Sequence, residues 1–274
     1  MDIQDISVVV DLAGERRAAS AAIGLAAKLG AHLTGITLAY DPVVPGYAVT
    51  PVPVDFMLSA RNQAIADAKT AEADFLAKAT AAGVSHESRM LEVMSGGGLD
   101  DIIHEVRLAD LVVIGEDDPD RPEPVREALI ESVLFHAGAP LLLIPRKAPP
   151  TIDPRHVVIA WDGSITASRA VRSSLAFLQA AESVDVIIVD DGKELPTGQR
   201  VSAYLKRHGV AVTVKTLPNP AKDVAKTLRA YAGESGAGLI VMGAYGHSRL
   251  LEWILGGATR GMLKGLDIPL VMAH

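Results

Sequence analysis

Leu239–Arg260 reads LIVMGAYGHSRLLEWILGGATR, and this stretch decides the fold. Leu239–Met242 is a short apolar run with the length and branching of a buried strand, and Gly243 follows at once. Gly243-x-x-Gly246 leads into a helical stretch, which runs on to Gly256-Gly257-Ala258-Thr259. Glycines at a strand exit take backbone angles closed to other residues and let a ligand approach the main chain. Unpaired N–H groups at such turns and at a helix start form an anion site. Tight turns and close packing explain glycine pairs equally well. No Gly-Lys-Ser/Thr follows, so this is not a Walker A loop.

Working outward, the same plan occurs twice. Ile6–Val10 is a β-branched run ending in Asp11, and Val157–Trp161 likewise ends in Asp162. Both read as buried parallel strands. In the first copy a helix over Glu15–Leu29 closes at Gly30, and a strand over His32–Leu38 follows. A proline-rich loop over 40–55, a long helix over Phe56–Ala82 and a strand over Ser85–Val93 come next. Gly96-Gly97-Gly98 reads as a turn, and strands over Leu111–Ile114 and Leu141–Ile144 flank a helix over Val125–Phe135. The second copy has a helix over Thr166–Ala180, a strand over Val184–Val189, a helix over Thr197–His208 and a strand over Ala211–Thr216. Asn219-Pro220 reads as the cap and first residue of its next helix. A further helix spans Leu250–Leu263, and Pro269-Leu-Val-Met closes the chain as Pro140-Leu-Leu-Leu closes the first copy. Alternating strands and helices predict parallel sheets covered on both faces. Proline density between 145 and 154 marks a linker, giving domains over 1–147 and 152–274.

Composition narrows the function. Hydrophobic residues make up 49% of the 274 and aromatics only 4%, so the cores must be aliphatic. A net charge of −7 argues against nucleic acid and anionic membrane surfaces as partners. The absence of cysteine excludes disulfides, thiolate metal sites and thiol catalysis. The first residues lack the pattern of a secretory leader, and no apolar run reaches the roughly 18 residues of a membrane span. A cytoplasmic setting is expected. The eight histidines show no HExxH spacing, and no Gly-x-Ser-x-Gly elbow is present. No catalytic base is evident.

The pattern Gly243-x2-Gly246-x9-Gly256-Gly257-x-Thr259, with Asp162 and the duplicated plan, resembles the universal stress protein family in its tandem form. The resemblance covers nearly the whole chain. It implies two five-stranded parallel sheets of the adenine nucleotide alpha hydrolase-like fold, each in strand order 3-2-1-4-5. That order reverses between strands 1 and 4, where open α/β sheets bind ligands. It further implies that Asp162 sits beside adenosine and that Val189 offers backbone groups to adenine. Gly243, Gly246 and Gly256 would line ribose and phosphates. Gly257 stands where the family usually has serine or threonine, so a hydroxyl is lost that Thr259 partly replaces. His247 and Arg249 follow the second glycine, where a phosphate-side cation or plain solvent exposure would fit, exposure more so for Arg249.

The expected ligand is an adenine nucleotide, ATP or else ADP or AMP, with magnesium as a candidate companion and catalysis weak or absent. The first copy reads Glu116-Asp117-Asp118-Pro119-Asp120 after Gly115, carboxylates where phosphates would lie, and is expected to bind no nucleotide. The family's dimer implies that the two halves form an intramolecular pseudo-dimer, with a homodimer as a further state. A nucleotide-free scaffold for a protein or small apolar ligand is the competing reading. An adenine-activating transferase would need a Ser-Gly-Gly-x-Asp signature, which is absent.

Overall fold

Val8 and Val9 have almost no exposed surface, because the strand they belong to lies inside a parallel sheet with helices on both faces. A computed structural model describes residues 3–41, 53–93, 99–118, 123, 125–147, 149, 151–190, 192, 197–245, 258–263 and 265–274. Two compact units result, Gln4–Ala139 and Pro140–His274, the second joined by Ile3.

The first unit runs β1 (Asp5–Val9), α1 (Arg17–Leu29), β2 (His32–Tyr40), α2 (Val54–Ala81), β3 (His86–Val93), α3 (Asp100–Val106), β4 (Leu111–Gly115) and α4 (Arg126–Ser132). A π-helical turn, Val133–Ala137, continues α4 and ends at Gly138 in the left-handed region. The strands lie parallel in the order β3-β2-β1-β4. Gly35 in the middle of β2 lets α2 come close: a Cβ there would stand 2.6 Å from Cδ1 of Phe75, a fully buried ring.

The second unit holds β5 (Leu141–Ile144), β6 (His156–Ala160), α5 (Ile165–Ser173), α6 (Leu175–Ala180), β7 (Ser183–Asp190) and α7 (Gln199–Arg207). It continues with β8 (Val212–Pro218), α8 (Val224–Glu234), β9 (Leu239–Gly243), α9 (Ala258–Leu263) and β10 (Leu270–Ala273). Its strand order is β5-β10-β9-β6-β7-β8. From β8 to β10 this is the expected 3-2-1-4-5 order, all parallel. The α/β class and duplicated parallel-sheet plan read from the sequence are both present. β5, the closing strand of the first copy, belongs to the second unit and pairs antiparallel with β10, Leu141 opposite Met272 and Leu143 opposite Leu270. All eight residues of the pair are buried.

Local readings needed two corrections. The helix expected over Thr166–Ala180 is bent at Ser174 into α5 and α6, though Ser174 N–H still donates to Ala170 O and Leu178 N–H to Ser174 O, both at 3.0 Å. Asn219-Pro220 does not open a helix. Asp223 caps α8, its Oδ1 accepting Lys226 N–H at 2.9 Å, while Asn219 Oδ1 accepts Asp223 N–H at 3.0 Å and shapes the turn before it. The proline loop over 42–52 and Gly96-Gly97-Gly98 lie outside the described residues.

Candidate functional site

The second unit's crevice is built at the C-terminal ends of β6 and β9, where the strand order reverses. Past β6, Trp161 N–H still donates to Ile187 O at 2.8 Å, keeping the chain beside β7. Asp162 then turns it: Oδ1 accepts Ser164 N–H at 2.9 Å while Gly163 takes a φ of 77°. Such a φ favours glycine, because a side chain there meets the backbone. Ser164 caps α5, its Oγ accepting Ala167 N–H at 3.0 Å. This satisfies one of the orphan donors of the first turn.

Register places the predicted residues. Ala160 is level with Ile187 of β7 and with Met242 of β9, so β6 ends, two residues before Asp162, at the same end of the sheet as Val189 and Gly243. Asp162, Val189 and Gly243 thus come together at one edge of the sheet. Asp162 is solvent-exposed, and the Val189 side chain is buried. At Gly243 packing alone requires glycine: a Cβ would meet Thr166 Oγ1 at 2.5 Å, Thr166 C at 2.6 Å and Ala167 N closer still. The first turn of α5 rests on the end of β9.

Beyond Gly243, Ala244 N–H donates to Ala273 O at 2.9 Å, and His274 Nδ1 lies 3.0 Å from Ala244 O. Tyr245 has a φ of 52°, and its N–H donates to Thr259 Oγ1 at 3.1 Å. Thr259 is buried in α9. Its hydroxyl oxygen is therefore engaged in holding the start of the glycine loop. Gly246, His247, Arg249, Gly256 and Gly257 lie outside the described residues. Among the described residues no cluster of histidine and acidic side chains could hold a metal ion.

The same place in the first unit looks different. Asp11, after β1, lies over Gly115 at the end of β4, where a Cβ would meet its Oδ1 at 2.6 Å. Arg126, only 2% exposed, reaches in from α4 with Nη2 2.6 Å from Glu123 Oε2 and 3.3 Å from Asp11 Oδ1. Glu123 Oε1 accepts Leu12 N–H at 2.9 Å, Oε2 accepts the Tyr40 hydroxyl at 3.4 Å, and Glu123 N–H donates to Asp117 Oδ1 at 3.1 Å. Burial pushes the Asp11 carboxyl up to about 6, with Arg126 pulling down and Glu123 adding to the rise. Burial and then Glu123 push the Tyr40 phenol up as well, so it stays protonated.

The carboxylates after Gly115 gave the signal that this half differs, but the sequence reading missed Arg126. Glu123 and Arg126 are three residues apart, and that spacing carries no sign of a buried pair. Only the topology carries them to Asp11.

The second unit is an open α/β sheet whose strand order reverses between β6 and β9. The chain is similar over 98% of its length to 96% of a universal stress protein from Archaeoglobus fulgidus, at 16% identity and a TM-score of 0.72. It is similar over 99% of its length to 93% of a putative universal stress protein from Pseudomonas aeruginosa, at 16% identity and a TM-score of 0.54. The cytoplasmic domain of a prokaryotic cation chloride cotransporter also matches, over 99% of this chain and 96% of that one, at 10% identity and a TM-score of 0.53. No family model and no curated protein matches the chain. The chain has the fold of the tandem-length universal stress proteins. No described helix is long and apolar enough to cross a membrane.

Proposed function

We propose that the chain is a stress-response regulatory protein that binds one adenine nucleotide, ATP, ADP or AMP, in its second unit, with little or no catalysis. The observation that carries this reading is the juxtaposition of exposed Asp162 and Gly243 at adjacent strand ends, with the glycine loop starting there. In the reading, Asp162 sits beside the adenosine and Val189 offers backbone groups to the adenine. Gly246, His247, Gly256, Gly257 and Thr259 line the phosphates. α5 begins at the same edge, and its first-turn N–H groups favour an anion. Magnesium would reach this site on the phosphates, since the described residues offer no carboxylate cluster of their own.

The test is to denature purified chain and identify what it releases. An adenine nucleotide near one per chain supports the reading. A protein that releases none and gains no stability from ATP, ADP or AMP has lost it.

A scaffold role is the second reading. It is favoured by Val54, Phe56 and Leu58 of α2, which are 71%, 63% and 53% exposed. Fold alone does not choose between the two, because one fold carries many functions.

A further inference from the structure

Around Asp11 the described residues bring together more carboxylates than guanidiniums. Glu123 and Asp117 follow β4, Arg126 comes from α4 and Tyr40 from β2. Arg16 and the Ala18 N–H come from the start of α1, the latter donating to Asp11 Oδ2 at 3.3 Å. Arg16 is itself shared with Asp74 of α2, 3.4 Å away. One nitrogen, Arg126 Nη2, serves both Asp11 and Glu123, while the buried Nε and Nη1 of Arg126 have no hydrogen-bond partner among the described residues. Two carboxylates sharing the charge of one guanidinium in a site this buried cannot both be fully compensated as anions.

We propose that Arg126, Glu123 and Asp11 form an internal plug in the first unit's crevice, and that a single proton taken up by Asp11 tightens it. With Asp11 neutral, Arg126 belongs to Glu123 alone. Glu123 then holds the β1–α1 turn through Leu12 N–H and the second strand through Tyr40, with the guanidinium charge of Arg126 to itself. With Asp11 charged, the guanidinium is divided and an excess negative charge stays buried. The raised proton affinity of Asp11 agrees with this geometry and puts the transition just below neutral pH. The chain therefore carries a proton-binding site in the half where the glycine motif is missing, independent of any nucleotide in the other half.

The test uses the full chain and no nucleotide. Carboxyl-carbon NMR follows Asp11 from pH 4 to 8, with the resonance assigned by its loss in Asp11→Asn. Its midpoint should lie near 6. In Glu123→Gln the midpoint should fall, because the competing anion is gone while the acceptor for Leu12 N–H remains. Burial alone would leave it in place. Amide exchange supplies the second readout: the protection factor of Leu12 should rise about tenfold or more from pH 7 to 5, and stay high at both in Asp11→Asn. An Asp11 midpoint in the ordinary aspartate range near about 4 overturns the proposal. So does a Glu123→Gln midpoint equal to that of the parent, or Leu12 protection that falls on acidification.

Discussion

Replacing Asp11 by Asn should make the first unit more stable at pH 8 and less sensitive to pH. Asp11 in the folded chain has its proton affinity raised from 3.8 to about 6. At about 1.4 kcal/mol per pH unit that gap amounts to about 3 kcal/mol. The sign follows from linkage. A group with a raised folded value binds its proton more tightly when folded, so its stabilising contribution is complete below about pH 4. That contribution is lost as pH rises through about 6. Asn keeps an acceptor for Ala18 N–H and removes the buried charge. The parent and variant should therefore match near pH 4 and diverge by up to about 3 kcal/mol at pH 8, the variant being the more stable. Trp161 and Trp253 are the chain's two tryptophans and both lie in the second half, so fluorescence would read the wrong unit. Hydrogen exchange of first-unit peptides at a series of urea concentrations reads the right one. A difference between parent and variant that does not change between pH 5 and 8 would refute the reasoning.

Gly243→Ala should destabilise the second unit by about 1–3 kcal/mol, because the new Cβ meets backbone atoms of Thr166 and Ala167 that cannot rotate away; Trp161 fluorescence in urea measures it. Tyr231→Phe removes a 2.6 Å hydrogen bond from the Tyr231 hydroxyl to Asp185 Oδ2 and should cost about 1.5–3 kcal/mol. Burial pushes the Asp185 carboxyl up, but hydrogen bonds from Tyr231, Lys215 and His156 outweigh it and hold the group below its ordinary value. That contribution is present above the ordinary aspartate range and lost as pH falls through the lowered value, so urea titrations of parent and Tyr231→Phe should converge in acid. Thr259→Val removes the 3.1 Å hydrogen bond that the half-buried Tyr245 N–H donates, costing about 0.5–1.5 kcal/mol in the same assay. It should also weaken the nucleotide, since the glycine loop starts from Tyr245.

Elements with one-dimensional signals were legible in the sequence. Ile6–Val10, Leu111–Ile114 and Leu239–Met242 are β-branched or apolar runs of strand length, and each falls on a buried strand, the first ending at Val9. The strand order came from the family resemblance, and right-handed crossovers make such an order natural. What failed depends on contacts distant in sequence. Nothing local says that β5 pairs with β10 across more than a hundred residues of chain. Asn219-Pro220 has the composition of a helix start, yet Asp223 four residues on wins the role through its bond to Lys226 N–H. Gly243 was legible as a required glycine, but the sequence could not tell a ligand's approach from that of α5. The carboxylates after Gly115 pointed to repulsion. Arg126 answers that charge from inside, and a lone arginine carries no sign of where it points.

Calorimetric titration of ATP, with and without magnesium, into the full-length chain and into Gly246→Val tests the central claim most directly. One site per chain is predicted in the parent, with none in the variant, where a branched side chain stands in the path of the phosphates. Two equal sites, no site at all, or a Gly246→Val chain that binds like the parent would contradict the account.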